Sequence, residues 1–416
     1  MTYCGLDFGT SNSTLGAAGG DGAALVALEG DSTTLPSAIF FDFRTAAPLI
    51  GRAAIAAYVR GDDGRFMRSL KSVLGTDLID QDTLLDRSRI GFREVLARLV
   101  GGIKLRAETR LGHALDAVVH GRPVHFVDGD EAADRRAEAA LEAIARAAGF
   151  HDVSFQYEPI AAALDYERQV DREQIALIAD IGGGTSDFSI VRLGPDRRGR
   201  PDRMTDILAN DGIRIGGTDF DRLLSLAALM PLLGYQSPML RPGLLAPNFY
   251  FTDLSTWAKI NFLYTPQIRQ ELAQVRRESA RPELIGRLIT VVEHQLGHRL
   301  AMTVERAKIK LSDSTAVRAP LDWIEAGLTA TLPRRRFEAA TAALAAGIGA
   351  MIDRCLGDAG LPEAAIDAVF LTGGSTLLPN VRRAILARLP HARPVDGDKF
   401  GSVGLGLTLE AAIRYG

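Results

Sequence analysis

Cysteine is nearly missing from this chain. Its 416 residues hold two, Cys4 and Cys355, both in apolar stretches. A disulfide framework is therefore not supported, and a reducing cytoplasm is the expected setting. No charged start followed by an apolar run precedes the first strand pattern, so no secretory leader is expected. No uninterrupted apolar stretch is long enough to span a bilayer. An excess of one charge is missing too: 48 Lys and Arg stand against 51 Asp and Glu, a net charge of −3. That leaves no global basic field to hold nucleic acid or an anionic membrane. Lysine is scarce, with six among the 48 basic residues. Where a chain so biased toward arginine keeps a lysine, a need for a compact ammonium is a reasonable explanation. Two familiar phosphate-binding signatures are also absent. There is no GxxxxGK[ST] run, and no GxGxxG run opens a helix after a strand.

What is present is a chain of ordinary globular composition, 47% hydrophobic and 24% charged, long enough for two domains or lobes. A β-hairpin is expected over Tyr3 to Ala17, turning at Gly9–Thr10, and a strand at Leu35–Phe41. Residues 53–115 read as mostly helical, broken at Gly61–Gly64 and Gly101–Gly102. Short strands follow at Ala117–Val119 and Val124–Val127. Asp130 to Ala148 reads as a helix stopped by Gly149. Val153–Tyr157 is a further strand, and Glu158–Pro159 opens a helix with Pro in its first turn. The opening theme then returns. A strand at Ile175–Ile178 leads through Asp180 into Gly182–Gly184, and Phe188–Val191 follows. Asp7 ahead of Gly9 has the same form, which reads as a duplication, one hairpin per lobe. Pro195 to Arg203 is a charged turn region. Asn210–Gly217 precedes a helix from Thr218 to Met230, and Pro231 to Pro282 is the least regular stretch. Residues 283–311 and 336–360 are helical in pattern. A buried strand, Ala368–Leu371, ends at Thr372-Gly373-Gly374-Ser375, a helix begins near Asn380, and a Gly-punctuated helix runs from Gly401 to Gly416.

Three glycine turns thus follow apolar strands: at Gly9, at Gly182–Gly184 and at Gly373–Gly374. Glycine lets backbone amides approach phosphate oxygens with no Cβ in the way. Hydroxyls on Thr10, Ser11, Ser13 and Thr185 could add donors. Taken singly, each turn reads equally as a hairpin in which Gly supplies a positive φ. Taken together, Asp7 and Asp180 stand at equivalent places, and two carboxylates facing a triphosphate suit a hydrated Mg²⁺.

The residues also carry a family resemblance. Gly5-Leu6-Asp7-Phe8-Gly9-Thr10-Ser11-Asn12-Ser13 resembles the first phosphate loop of the DnaK-type, seventy-kilodalton heat-shock chaperones, and Asp180–Ile190 is similar to the second. Tyr157–Ala163 resembles their first connecting helix. Ile215-Gly216-Gly217-Thr218-Asp219-Phe220-Asp221 and Phe370–Thr376 with Leu378-Pro379 are similar to two further family segments. Five such runs in order cover almost the whole chain.

The resemblance implies an α/β chain with a duplicated ribonuclease-H-like, actin-like ATPase fold and a nucleotide cleft between two lobes. Lobe I would be residues 1–170, with a subdomain at about 37–107 and the helix 400–416 returning to it. Lobe II would be 171–399, with a subdomain at about 227–342. The implied cofactors are ATP or ADP with Mg²⁺. Asp7, Asp180 and Asp187 would hold the metal mostly through water. Lys71 would stabilise the γ-phosphate, Glu158 would position the attacking water, and Thr185 would lie beside the phosphate. Gly9, Thr10, Ser11, Asn12, Gly182, Gly183, Gly184, Gly216, Gly217, Gly373, Gly374 and Ser375 would bind nucleotide, with Glu305, Lys308 and Ser312 on the helix that holds ribose and adenine. Two departures stand out. Ile309 and Leu377 occupy places where the family has adenine-flanking arginines. The chain also stops at the helix that would close the first lobe, so the form resembles the short YegD type without a peptide-binding domain. The expected activity is slow ATP hydrolysis driving a conformational switch, chaperone-like, with a protein client or co-chaperone as partner and no nucleic acid or membrane. The oligomeric state is left open. The alternatives are a sugar-type kinase on the same fold, a filament protein, and a nucleotide-binding scaffold without turnover.

Overall fold

The structure is a computed structural model that describes residues 2–19, 22–45, 47–86, 88–198, 200 and 203–416. Of the charged turn region Pro195 to Arg203, residues 199, 201 and 202 lie outside the described ones. The chain forms two compact units. The first takes residues 1–217, 347–376 and 381–416; the second takes 218–346 and 377–380.

The first unit is built on two sheets of matching design. In one, Tyr3–Phe8 pairs antiparallel with Asn12–Gly19 and parallel with Ala117–Arg122, which pairs parallel with Asp152–Tyr157. In the other, Gln174–Ile181 pairs antiparallel with Ser186–Leu193 and parallel with Ala368–Thr372, which pairs parallel with Arg393–Asp396. Each sheet adds an antiparallel strand beyond its hairpin, Gly22–Leu25 and Ile207–Ile213, and the first also takes Thr34–Pro36 against Asn12–Thr14. The duplication legible in the two Asp-and-glycine runs is thus a duplication of sheet topology. Each central strand is mostly apolar on its buried positions, with Asp180 a buried exception near the end of the second. Leu6 and Phe8, or Leu177, Ile178 and Ala179, have no exposed surface. Strands covered on both faces read as continuous hydrophobic runs.

Glu158–Glu167 crosses from the first sheet toward the second, with Pro159 in its first turn and all but one residue buried. The helix Ser402–Tyr415 lies against it and against the first sheet, with Leu407 and Ala411 in the shared core. Contact is closest at Gly406, where a Cβ would sit 1.7 Å from the Ala161 carbonyl oxygen. No side-chain rotation relieves a clash with backbone. Gly406→Val is therefore expected to lower stability by about 3 kcal/mol or more in urea unfolding. An unchanged midpoint would show that the two helices do not cross at this glycine.

Several expected elements are different in the structure. The mostly helical reading of residues 53–115 is wrong in its middle. Arg52–Arg60 is helical, but Gly64–Arg68 is a strand paired with Ala38–Asp42, and Asp82–Leu85 pairs with Ser88–Gly91. The following helix, Phe92–Leu111, runs through Gly101–Gly102 without a break. Ile50 presses against Gly102, where a Cβ would come within 2.7 Å of its Cδ1, so tertiary packing selects a small residue at that position. Val124–Val127 is not a strand. The expected strand Leu35–Phe41 divides at Ser37 between two sheets.

The second unit is largely helical, with one hairpin, Ala316–Pro320 and Thr329–Pro333, that the sequence did not announce. Phe220 packs against Phe337 with its ring tilted, centroids 6.2 Å apart. Pro231 to Pro282 is more regular than expected and contains the helix Pro266–Glu278. The expected helix over 283–311 is two helices, Pro282–Glu293 and Gly297–Leu311.

Candidate functional site

The site grows from the ends of the two hairpins in the first unit. Asp7 is the penultimate residue of its strand, opposite Thr14. Asp180 is the penultimate residue of the equivalent strand, opposite Asp187. Both strands end in glycine-bearing turns, and the second has no room for a Cβ at Gly183 or Gly184. A Cβ on Gly183 would lie 2.5 Å from Ser11 Oγ, and one on Gly184 would lie 2.7 Å from Thr10 Oγ1. The two turns therefore touch, so that Thr10 and Ser11 of one sheet adjoin Gly183 and Gly184 of the other.

Each turn is pinned by named bonds. Ser37 donates to the Gly9 carbonyl at 2.6 Å, shares a hydroxyl contact with Ser13 at 2.8 Å, and gives its N–H to Ser11 at 3.0 Å. Asn12 continues as the first residue of the returning strand. The Gly182 N–H reaches Thr185 O at 2.9 Å, while the Gly182 carbonyl accepts the Gly217 N–H at 2.9 Å and the Ser375 hydroxyl at 3.1 Å. Gly216 lies against this turn so tightly that a Cβ would come within 2.4 Å of the Gly184 nitrogen. Gly373, at φ 77°, adjoins Asp180 Oδ1 and Ile181 O, and Gly374 opens the short turn that carries Ser375. The three glycine turns of the sequence are thus one constellation, closed by Gly216 and Gly217.

Lys71 enters from a 3₁₀ turn, Leu70–Val73, and not from a helix. Ser69 just before it is held at φ 60°, a left-handed conformation that costs a non-glycine residue about 1–2 kcal/mol. The strand Gly64–Arg68 delivers this bend, and Arg214 caps the turn from outside by donating to the Ser72 carbonyl at 2.5 Å. Lys71 Nζ donates to Glu158 Oε1, and both side chains are more than nine-tenths buried. Glu158 sits at the helix N-terminus, where the dipole favours an anion.

Asp7, Glu158, Asp180 and Asp187 interact electrostatically around this one ammonium. The consequences are large. Burial and then the Glu158 charge push Asp7 up to about 7, against the pull of Lys71. Burial and Glu158 also push Asp187 up to about 7, although Thr185, the Val124 N–H at 2.7 Å and Lys71 all favour its charged form. Asp180 is raised well above the usual carboxylate range by burial and by Glu158, Asp187 and Asp7. Burial works against the charge on Lys71, but Glu158 and Asp7 outweigh it and raise its pKa.

These directions set a stability profile for the protein without metal. A raised carboxyl binds its proton in the folded state before it does so unfolded. Acidification through pH 7 therefore stabilises the fold. His120 opposes this at lower pH, because burial holds it down to about 4. The window is thus pH 8 to 6.5. In chelator, the melting temperature is expected to rise by a few degrees across it as pH falls. A flat or inverted profile would show that these carboxyls are not held near neutrality.

Three contributors were missed in the sequence. Ser37 lies 28 residues from the carbonyl it holds. Arg214 was hidden in a run read for its glycines. Arg122 is buried, bonds Asp134 at 2.6 Å and the Val124 carbonyl at 3.1 Å, and lies 5.2 Å from the centroid of the Tyr157 ring. It fixes both the segment that supplies the Val124 N–H and the residue preceding Glu158. The arginine-proline pair at 122–123 was the only available signal. Glu305, Lys308 and Ser312 belong to the second unit, along the helix Gly297–Leu311 and its C-cap. There Lys308 pairs with Asp221 at 2.9 Å. Ile309 and Leu377, also in that unit, are exposed.

The chain matches a protein-family model described as Hsp70 protein over residues 3–228 and 290–416. It belongs to the Hsp70 family. Its fold is the actin-like ATPase fold of that family's nucleotide-binding domain, mixed α/β with two mixed sheets in two lobes, and membership implies ATP binding.

Proposed function

We propose that this Hsp70-family chain is a slow, Mg²⁺-dependent ATPase whose nucleotide state acts as a conformational switch. The observation that carries the reading is the buried Lys71–Glu158 pair set among Asp7, Asp180 and Asp187 beside touching glycine turns. Four carboxylates around one ammonium are an unstable arrangement alone and a fitting one around a divalent cation. Among the described residues no three Asp, Glu, His or Cys groups converge closely enough to ligate a metal directly. Asp7, Asp180 and Asp187 would therefore hold Mg²⁺ through its waters. The bound ion supplies charge neutralisation for the phosphates.

The chain's own residues then divide the work. Backbone amides of the two turns and the hydroxyls of Thr10, Ser11 and Thr185 hold phosphate oxygens. Lys71 stabilises charge on the transferring phosphoryl group. Glu158 orients a water through the carboxylate oxygen that does not face Lys71, and Lys71 stays charged. Because Glu158 opens the helix between the two sheets, loss of the γ-phosphate is felt by that helix, and a protein partner could read the change. Thermal unfolding tests the binding step. MgATP should raise the melting temperature by several degrees, and ATP with chelator should raise it far less. Equal shifts would remove the metal from the account.

Ile309 and Leu377 offer aliphatic surface in place of guanidinium. Ile309→Arg is accordingly expected to tighten ATP binding about three- to fivefold by titration calorimetry, the size of an exposed cation–π contact. Weaker binding by this variant would place the base elsewhere.

A further inference from the structure

The family match breaks between residues 228 and 290. This interval holds the helix Pro266–Glu278 and the start of Pro282–Glu293, which pack against each other. The segment before them is tied on by backbone bonds, Leu240 N–H to Glu278 O at 2.7 Å and Ala280 N–H to Pro238 O at 3.0 Å. Together they form an open pocket of about 770 Å³, lined among others by Leu240, Arg269, Arg276, Arg277, Ile289 and Glu293.

Its charge is unusual for this chain. Residues 231–289 hold seven Lys or Arg and four Asp or Glu, in a protein that is net acidic. Two neighbouring arginines have found carboxylates: Arg281 pairs with Glu283 at 2.5 Å and Arg287 with Glu325 at 2.8 Å. No carboxylate among the described residues pairs Arg269 or Arg276, and Arg277 reaches only the Gln274 amide, at 2.6 Å. Arg269, Arg276 and Arg277 follow i, i+7, i+8 spacing and so share one helix face. Like charges on one face repel, and the pocket lining sets the one carboxylate of Glu293 against these three guanidiniums. Beside them Leu240 is 66% exposed, and Leu244 and Leu245 are about half exposed.

We propose that this pocket binds an acidic peptide segment of a partner protein, one that sets carboxylates beside an aliphatic side chain. The guanidiniums take the carboxylates, in bidentate pairs where geometry allows. Leu240 and Ile289 take the aliphatic group. Nucleic acid fits less well, because no aromatic side chain lines the pocket to stack a base and the whole protein is net negative.

The test is selection of a displayed library of random dodecapeptides against the full chain. The proposal expects a pool enriched in Asp and Glu next to Leu, Ile or Val. Its best peptide should bind at least about tenfold more weakly to Arg269→Glu/Arg276→Glu, since hydrogen bonds to charged groups are worth that much. Both residues are exposed and lie outside the ATP machinery, so the MgATP melting shift should be unchanged in this variant. A pool without acidic enrichment, or equal binding by the double variant, would overturn the proposal. So would a single-stranded oligonucleotide that displaces the selected peptide.

Discussion

Lys71→Ala is expected to slow single-turnover ATP hydrolysis by about a hundredfold or more while leaving ATP bound, because one preorganised charge at the transferring phosphoryl group is worth that much. The variant should also lose stability without nucleotide. Glu158 is left buried without its cation, and breaking a buried pair costs about 3–5 kcal/mol. The two losses can be separated. Lys71→Ala/Glu158→Gln removes the orphaned charge, so urea unfolding should recover most of the stability. Hydrolysis should not recover. A double variant that regained turnover would show the pair to be structural only.

Asp180→Asn is expected to move stability and activity in opposite directions. Asp180 is repelled by Glu158, Asp187 and Asp7, and burial adds to the cost of its charge. Asparagine keeps the shape and removes the charge. Without metal, the melting temperature at pH 8 should rise by several degrees, and its change between pH 8 and 6.5 should shrink. Hydrolysis should fall by about a hundredfold or more, because the hydrated cation loses one of its anchors. The protein would be holding an unfavourable charge cluster for the sake of its ligand. A variant less stable than the parent would show that Asp180 acts as a structural hydrogen-bond acceptor.

The legible parts of this molecule were those written in short contiguous runs. Asp7 and Asp180 each follow an apolar strand and precede a glycine turn. Strand, acid and turn could therefore be read together, and the structure sets both acids at the same strand position. Glu158–Pro159 announced a helix start by its proline, and the helix begins there. Lys71 was legible as a residue but not as a geometry. Its aim depends on Ser69 at positive φ and on pairing of Gly64–Arg68 with Ala38–Asp42, which sit more than twenty residues upstream. Val124–Val127 looked like a strand because it is apolar. Its amides are instead taken by carboxylates, the Val124 N–H by Asp187 and the Phe126 N–H by Asp134. Gly101–Gly102 looked like a helix stop, yet the helix runs through both and Gly102 serves close packing against Ile50. In each case a distant partner decided the outcome, and local pattern carries no record of distant partners.

The charge state of the cluster was equally out of reach. Four acids could be counted in the sequence. Their crowding around one ammonium, which pushes Asp7 and Asp187 to about 7, depends on two sheets meeting at touching turns.

The most direct test of the central claim is single-turnover hydrolysis of ATP by the whole chain, with Mg²⁺ and with chelator, beside Lys71→Ala and Asp180→Asn. The account predicts slow, first-order conversion of one bound ATP to ADP, dependent on Mg²⁺ and lost in both variants. Hydrolysis that persists in chelator or survives both substitutions would contradict it, as would a protein that binds no ATP.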